Sequence, residues 1–188
     1  MQYIQNTDNA ILNFIYNNMH SRFLDVLMPL ISSVGNLAAI WIIIALIFIV
    51  AKKYRMQGFM IIGAISLCGI IGNLLIKPFV ARIRPYVFST TVYLLIPRLK
   101  DYSFPSGHAM AAFAAATVIY YSNRRLGAIA MILASLIAFS RLYLYVHYPS
   151  DVIAGMLIGI LVAFVTIKTF NILIAKQKNT KIHPKPGG

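Results

Sequence analysis

Five long apolar runs, at residues 37–51, 58–76, 108–121, 126–145 and 152–175, take up about half of this chain, and charged or turn-forming residues separate them. Segments of this kind constrain the fold more than any other feature. In hydrocarbon only a helix or a closed barrel satisfies its own backbone, and these runs lack the alternation of a barrel strand. Composition agrees: 60% of the 188 residues are hydrophobic and 11% charged, whereas a water-soluble domain carries about a quarter of its residues as charges. The expected fold is all-α, a polytopic membrane helix bundle. Ahead of the five runs, residues 10–19 read as an amphipathic helix. Residues 23–34 are apolar but short, and Asp25, Pro29 and two serines interrupt them. This stretch reads as a short span or a re-entrant piece, which leaves five and six transmembrane helices both open. One membrane-embedded domain is expected over residues 1–175, followed by a basic, disordered tail over 176–188.

Charge gives the orientation. The chain holds 17 Lys and Arg against 4 Asp and Glu, a net +13. Lys52, Lys53 and Arg55 stand at one junction, Arg124 and Arg125 at a second, and Lys176, Lys178, Lys181 and Lys185 in the tail. Pairs of spans return the chain to the same side between these sites, and the positive-inside rule makes that side cytoplasmic. The expected location is therefore the cell inner or plasma membrane, multi-pass, with the C-terminus in the cytoplasm. The outer loop 77–105 should then be poor in cations, yet it carries Lys77, Arg82, Arg84, Arg98 and Lys100. That violation suggests that some of them are held for a ligand. The first 20 residues contain no Lys or Arg, so the basic opening of a cleaved signal peptide is missing. Cys68 is the one cysteine, which excludes an internal disulfide.

Three short clusters fall on the outer face. Lys77 and Arg84-Pro85 close the second run; they are seven apart, about two helical turns, although Pro78 and Pro85 disfavour a helix that persists between them. Taken alone these cations could equally be snorkelling anchors. Pro105-Ser106-Gly107-His108 opens the third run. Ser106 is a good N-cap, the first turn offers unpaired N–H groups to an anion, and His108 stands there as a proton donor. Ser140-Arg141, His147 and Asp151 surround the last junction. A guanidinium at an apolar helix end is costly unless used or paired. His147 and Asp151 are four apart, so a helix beginning near Pro149 could set the carboxylate against the imidazole and free the other ring nitrogen as base or nucleophile.

Together the clusters supply a cationic clamp, a helix N-terminus, a nucleophile and an acid, the parts of phosphoryl transfer. Asp8, Asp25 and Asp101 do not form the close carboxylate set that Mg²⁺ catalysis usually needs, so a metal-independent reaction without cofactor is expected.

The spacing Lys77, six residues, Arg84-Pro85; Pro105-Ser106-Gly107-His108; Ser140-Arg141, five residues, His147, three residues, Asp151 resembles the three-part signature of the type 2 phosphatidic acid phosphatase superfamily at every defining position. The resemblance implies that His147 attacks phosphorus to give a phosphohistidine, with Asp151 orienting it. It implies that His108 protonates the leaving oxygen and then activates water. Lys77, Arg84, Ser106, Gly107 and Arg141 would bind the phosphoryl oxygens. The expected activity is hydrolysis of a lipid phosphate or pyrophosphate at the outer membrane surface, with undecaprenyl pyrophosphate favoured over phosphatidylglycerophosphate or phosphatidic acid. The expected partners are that substrate and the surrounding membrane lipids, with no nucleic acid. A different class, an anionic-lipid transporter or flippase, would use the same cations without cleavage; it usually shows self-similar halves, and the candidate residues here gather at one face.

Overall fold

A helix of small side chains forms the centre of the bundle. The computed structural model describes residues 2–89 and 91–182, and among them every regular element is helical. The central helix is α6 in the series α1 (Gln2–Met19), α2 (Arg22–Val34), α3 (Ala39–Val50), α4 (Arg55–Cys68), α5 (Lys77–Val80), α6 (Gly107–Ser122), α7 (Arg124–Tyr143) and α8 (Pro149–Ile182). Six alanines along α6 let α4, α7 and α8 approach closely, as small residues do between membrane helices. At Gly159 of α8 a Cβ would lie 2.2 Å from the carbonyl oxygen of Met110, and at Gly127 of α7 one would lie 2.1 Å from Tyr120 Cα. Ala109, Ala112, Ala114, Ala115, Ala116 and Val118 are wholly buried there, together with Ile61 and Ala64 of α4 and Ala134 and Ile137 of α7.

The apolar runs are helical, but they are not all independent spans. Among the described residues, three helical stretches are long and apolar enough to cross a membrane: Lys52–Val87, Arg124–Tyr143 and Pro149–Gln177. Arg22–Val34 and Asn36–Val50 together make a fourth if the 51° bend between them counts within one span. The run at 108–121 becomes the 16-residue α6, about 24 Å at 1.5 Å per residue and short of a ~30 Å hydrocarbon core. Its length is compensated by its place inside the bundle.

Two irregularities position the site. Between α2 and α3, Leu37 (φ 51°) and Ala38 (φ 56°) take left-handed backbone and break the helix. Gly35 beside them packs so tightly that a Cβ would lie 2.9 Å from both His108 Cδ2 and Ile137 Cγ2. After α4 the helix widens into a π-helical stretch over Gly69–Ile76, runs through α5 and stops at Ala81 (φ 47°). The helix therefore does not persist from Lys77 to Arg84, and the segment after Ala81 turns back over the bundle end.

The amphipathic helix is longer than residues 10–19, because α1 begins at Gln2. Its buried face, Asp8, Leu12 and Ile15, lies against the loops at the site end: Leu12 joins a cluster with Tyr86, Leu144, Val146 and Tyr148, and Ile15 one with Met28 and Tyr143. At the other terminus α8 continues through Ile182, past residue 175, into the segment expected as a disordered tail. Residues 183–188 of that segment lie outside the described residues.

Candidate active site

Ser106 caps α6 and ties it to α8. Its Oγ accepts from the Ala109 N–H at 3.5 Å, and its own N–H donates to the Asp151 carbonyl at 3.0 Å. This is the cap that the Pro-Ser-Gly-His order predicts. The serine is fully buried under the helix start, whereas Gly107 and His108, the next two residues, reach a cavity of about 400 Å³.

That cavity gathers polar residues that the sequence separates by up to 70 positions, Lys77 to His147. Lys77, Arg84, Asp101, His108, Arg141 and His147 line its polar part, and Leu37, Ala38, Ile65, Met110 and Ala111 its apolar part. An apolar wall beside clustered cations suits a molecule with a charged head and a hydrocarbon chain. A larger open groove of about 790 Å³ lies next to it, against α1, and contains none of the predicted site residues.

His147 sits in the turn between α7 and α8 and is 2% exposed. Pro149 opens α8 as expected, which puts the Asp151 carboxylate beside the imidazole, Oδ2 to Nδ1, at 3.6 Å. That is ion-pair range but too long for a hydrogen bond. The hydroxyl of Ser103 joins the two: Ser103 Oγ donates to Asp151 Oδ2 at 2.5 Å and lies 3.4 Å from His147 Nδ1. With its hydrogen directed to Asp151, Ser103 accepts from Nδ1–H, which assigns the proton to Nδ1 and leaves the Nε2 lone pair as an acceptor facing the cavity. Arg84 Nη1 stands 3.2 Å from that Nε2. Burial, partly offset by Asp151 and reinforced by the Arg84 and Arg141 charges, pushes the His147 pKa down to about 3. The ring is therefore neutral at physiological pH, as a nucleophile must be.

Arg84 is held from several directions. Its Nη1 donates to the Val146 carbonyl at 2.7 Å, its Nε to the Asp101 carbonyl at 2.9 Å, and its Nη2 to Asp101 Oδ1 at 2.8 Å. Lys77 Nζ pairs with Oδ2 of the same carboxylate. Burial of Asp101 opposes ionisation, but Lys77 and Arg84 outweigh it and bring its pKa down to about 2. Arg141, 2% exposed near the end of α7, donates from Nη1 to Ser32 Oγ, while its Nε lacks a partner among the described residues. A buried guanidinium N–H with no acceptor on the wall of this cavity matches a site that expects an anion. His108 Nε2 lies 3.0 Å from Asn36 Oδ1 in the break between α2 and α3.

Of the eight residues singled out by sequence, Lys77, Arg84, Gly107, His108, Arg141 and His147 line the cavity. Asp151 stands behind His147, and Ser106 faces the helix cap. Sequence reasoning missed the roles of Ser103, Asp101 and Asn36. Ser103 and Asp101 precede Pro105 in an irregular stretch with no periodicity to mark them. Asn36 belongs to a left-handed break whose one sequence signal is the Gly35-Asn36 pair. Among the described residues no three His, Cys, Asp or Glu side chains converge as a metal cage would.

Comparison with known proteins places these features in a family. A model described as the PAP2 superfamily matches residues 37–174. An undecaprenyl-diphosphatase of Sulfolobus acidocaldarius is 33% identical over 146 residues, 77% of this chain and 70% of that one. The undecaprenyl-diphosphatase BcrC of Bacillus subtilis is 30% identical over 154 residues, 82% of this chain and 79% of that one. The crystal structure of Aquifex aeolicus LpxE superposes with a TM-score of 0.75 at 31% identity, covering 85% of this chain and 93% of that one.

Proposed function

Because this chain belongs to the PAP2 superfamily, we propose that it is a membrane lipid phosphatase that removes a phosphate by way of a phosphohistidine, without a metal. The observation that carries the reading is the convergence of Lys77, Arg84 and Arg141 on the cavity wall around His147. The three cations bind the phosphoryl oxygens, and the Gly107 backbone at the start of α6 adds N–H donors. His147 Nε2 attacks phosphorus, and the bond to the leaving oxygen breaks. With the negative charge of the bound phosphate beside it, His108 holds a proton as imidazolium and gives it from Nε2 to that oxygen, in the place now taken by Asn36 Oδ1. In the second step His108 takes a proton from water, whose oxygen attacks the phosphohistidine and releases His147 and inorganic phosphate. Ser106 acts through the helix start that its Oγ caps rather than by touching the phosphoryl group.

The favoured substrate is undecaprenyl pyrophosphate, hydrolysed to undecaprenyl phosphate. Two relatives at 33% and 30% identity carry that activity in their names, and a chain with an apolar tail and diphosphate head matches the two-sided cavity. The active site faces the outside, with the C-terminus in the cytoplasm. Support comes from Lys52, Lys53, Arg55, Arg124 and Arg125, which stand at the ends of α4 and α7 farthest from the site.

The test is phosphate release by the purified protein in detergent with EDTA, offered undecaprenyl pyrophosphate, phosphatidylglycerophosphate and phosphatidic acid in parallel. Turnover should be fastest on the pyrophosphate. Faster turnover on either glycerolipid would reassign the substrate, and binding of all three without release would move the chain to the carrier class.

A further inference from the structure

A second ionic cluster lies behind the cavity, centred on Arg82. The sequence marks Arg82 as one more outer-loop cation, a candidate for the substrate's headgroup. Its guanidinium does not reach the cavity. Nη1 donates to Asp151 Oδ1 at 2.6 Å and to Ser150 Oγ at 2.7 Å, and Nη2 donates to Asp8 Oδ2 at 2.7 Å and to Gln5 Oε1 at 2.8 Å. The guanidinium also covers the ring of Tyr148, 4.0 Å from its centroid. Asp8 itself is 3% exposed although it belongs to an amphipathic surface helix. Its Oδ1 accepts from the Ser150 N–H at 2.9 Å and its Oδ2 from Ser150 Oγ at 2.5 Å.

A buried carboxylate on an N-terminal helix is costly unless it is paired. Here it is paired with a cation whose other face holds Asp151. The two oxygens of Asp151 divide the work: Oδ2 takes Ser103 Oγ–H and the Tyr148 N–H, and Oδ1 takes Arg82. Rotation of that carboxylate would undo the Ser103 link to His147 Nδ1. Arg82 blocks the rotation with a charged hydrogen bond, and Asp8 and Gln5, both from α1, fix the guanidinium fork in turn. A continuous chain therefore runs Asp8, Arg82, Asp151, Ser103, His147, from the first helix to the attacking nitrogen.

We propose that Arg82 and Asp8 are a positioning pair for His147, and that α1 is thereby a working part of the active site rather than only an interfacial anchor. The proposal rests on the phosphatase reading for its kinetic effect but not for its geometry. Loss of the pair leaves Lys77, Arg84 and Arg141 in place, so substrate affinity is kept while the attack is misaligned. A displacement of about 1 Å of a reacting group is enough to cost about 100-fold.

The experiment compares wild type, Asp8→Asn, Arg82→Met and the double variant, each as full-length protein in detergent. Three quantities are read: kcat and KM on the best lipid phosphate, inhibition by inorganic phosphate, and hydrogen exchange of the amides over residues 145–152. Arg82→Met should lose about 10- to 100-fold in kcat, with KM and phosphate inhibition within about twofold of wild type, and Asp8→Asn should lose less. The double variant should match Arg82→Met alone, since both substitutions cut one chain. A kcat unchanged in Arg82→Met, or a loss carried by KM and phosphate affinity, would overturn the proposal. Should the wild type release phosphate from no lipid offered, the functional reading falls, yet hydrogen exchange still decides the geometry. Faster exchange over 145–152 in Asp8→Asn supports the pair, and unchanged exchange refutes it. Arg82→Lys, which keeps the charge but not the fork, guards against a variant that fails to fold and should retain part of the activity.

Discussion

The carboxylate of Asp101 lies 2.8 Å from Arg84 Nη2, on a guanidinium whose Nη1 is 3.2 Å from His147 Nε2. Its other oxygen is on Lys77. An internal anion thus occupies two of the three cations assigned to the phosphoryl group, and a phosphate that enters must take them over. Replacing Asp101 by Asn should tighten inhibition by vanadate about fivefold, the scale of a half-exposed ion pair. The inhibition constant measures it; weaker inhibition would mean that Asp101 supports the clamp rather than competes for it.

Ser103 stands between Asp151 and His147. Ser103→Ala removes the donor to Asp151 Oδ2 and the acceptor of Nδ1–H together, a loss of about 1–3 kcal/mol of orientation. The kcat should fall about 10- to 100-fold with KM nearly unchanged. A proportional rise in KM with kcat intact would place Ser103 in substrate binding instead.

Stability should fall on acidification in two stages. His147 has its pKa pushed down to about 3, so between the unfolded value near 6.5 and about 3 the unfolded chain binds a proton that the folded chain refuses. Stability from this group is complete above pH ~6.5 and declines below it. Asp101, held down to about 2, adds stability that is complete above its unfolded value of about 3.9 and is lost between there and about 2. Thermal melting in detergent from pH 8 to pH 3 measures the first stage; His147→Asn should flatten the decline between pH 6.5 and 4.

Gly159 tests the packing that sets the cavity floor. A Cβ there would lie 2.2 Å from the Met110 carbonyl oxygen, which leaves no rotamer to relieve the clash. Gly159→Ala should lower the melting temperature, with a cost of about 1–3 kcal/mol typical of overpacking. A melting temperature equal to that of wild type would show that α6 and α8 are less rigidly joined.

The sequence made the helical class, the amphipathic start and the three polar clusters legible because each rests on a local signal: apolar run length, a cap, a proline at the start of α8. What it could not supply comes from packing between distant segments. Whether 23–34 and 37–51 are separate spans depends on the left-handed break at Leu37 and Ala38, and neither residue type announces such a backbone. The shortness of α6 is tolerable because its neighbours enclose it, and apolar counts do not see that. At the site, the sequence pairs His147 with Asp151 by spacing, while Ser103 joins them from 44 and 48 residues away. Arg82 looks like a headgroup ligand until its two carboxylate partners, Asp8 and Asp151, are in place. An electrostatic count on one segment cannot reveal a counter-ion that arrives from another helix.

As the proposed nucleophile, His147 should carry the phosphoryl group between the two steps. Wild type and His147→Ala, each with EDTA, are mixed with a lipid pyrophosphate carrying a radiolabelled terminal phosphate under single-turnover conditions, then denatured in alkali, where phosphohistidine survives. Label is expected on the peptide that contains His147 in the wild type, and neither label nor phosphate release in the variant. Phosphate release by His147→Ala at the wild-type rate, or release by wild type with no labelled protein at any time, would contradict that role.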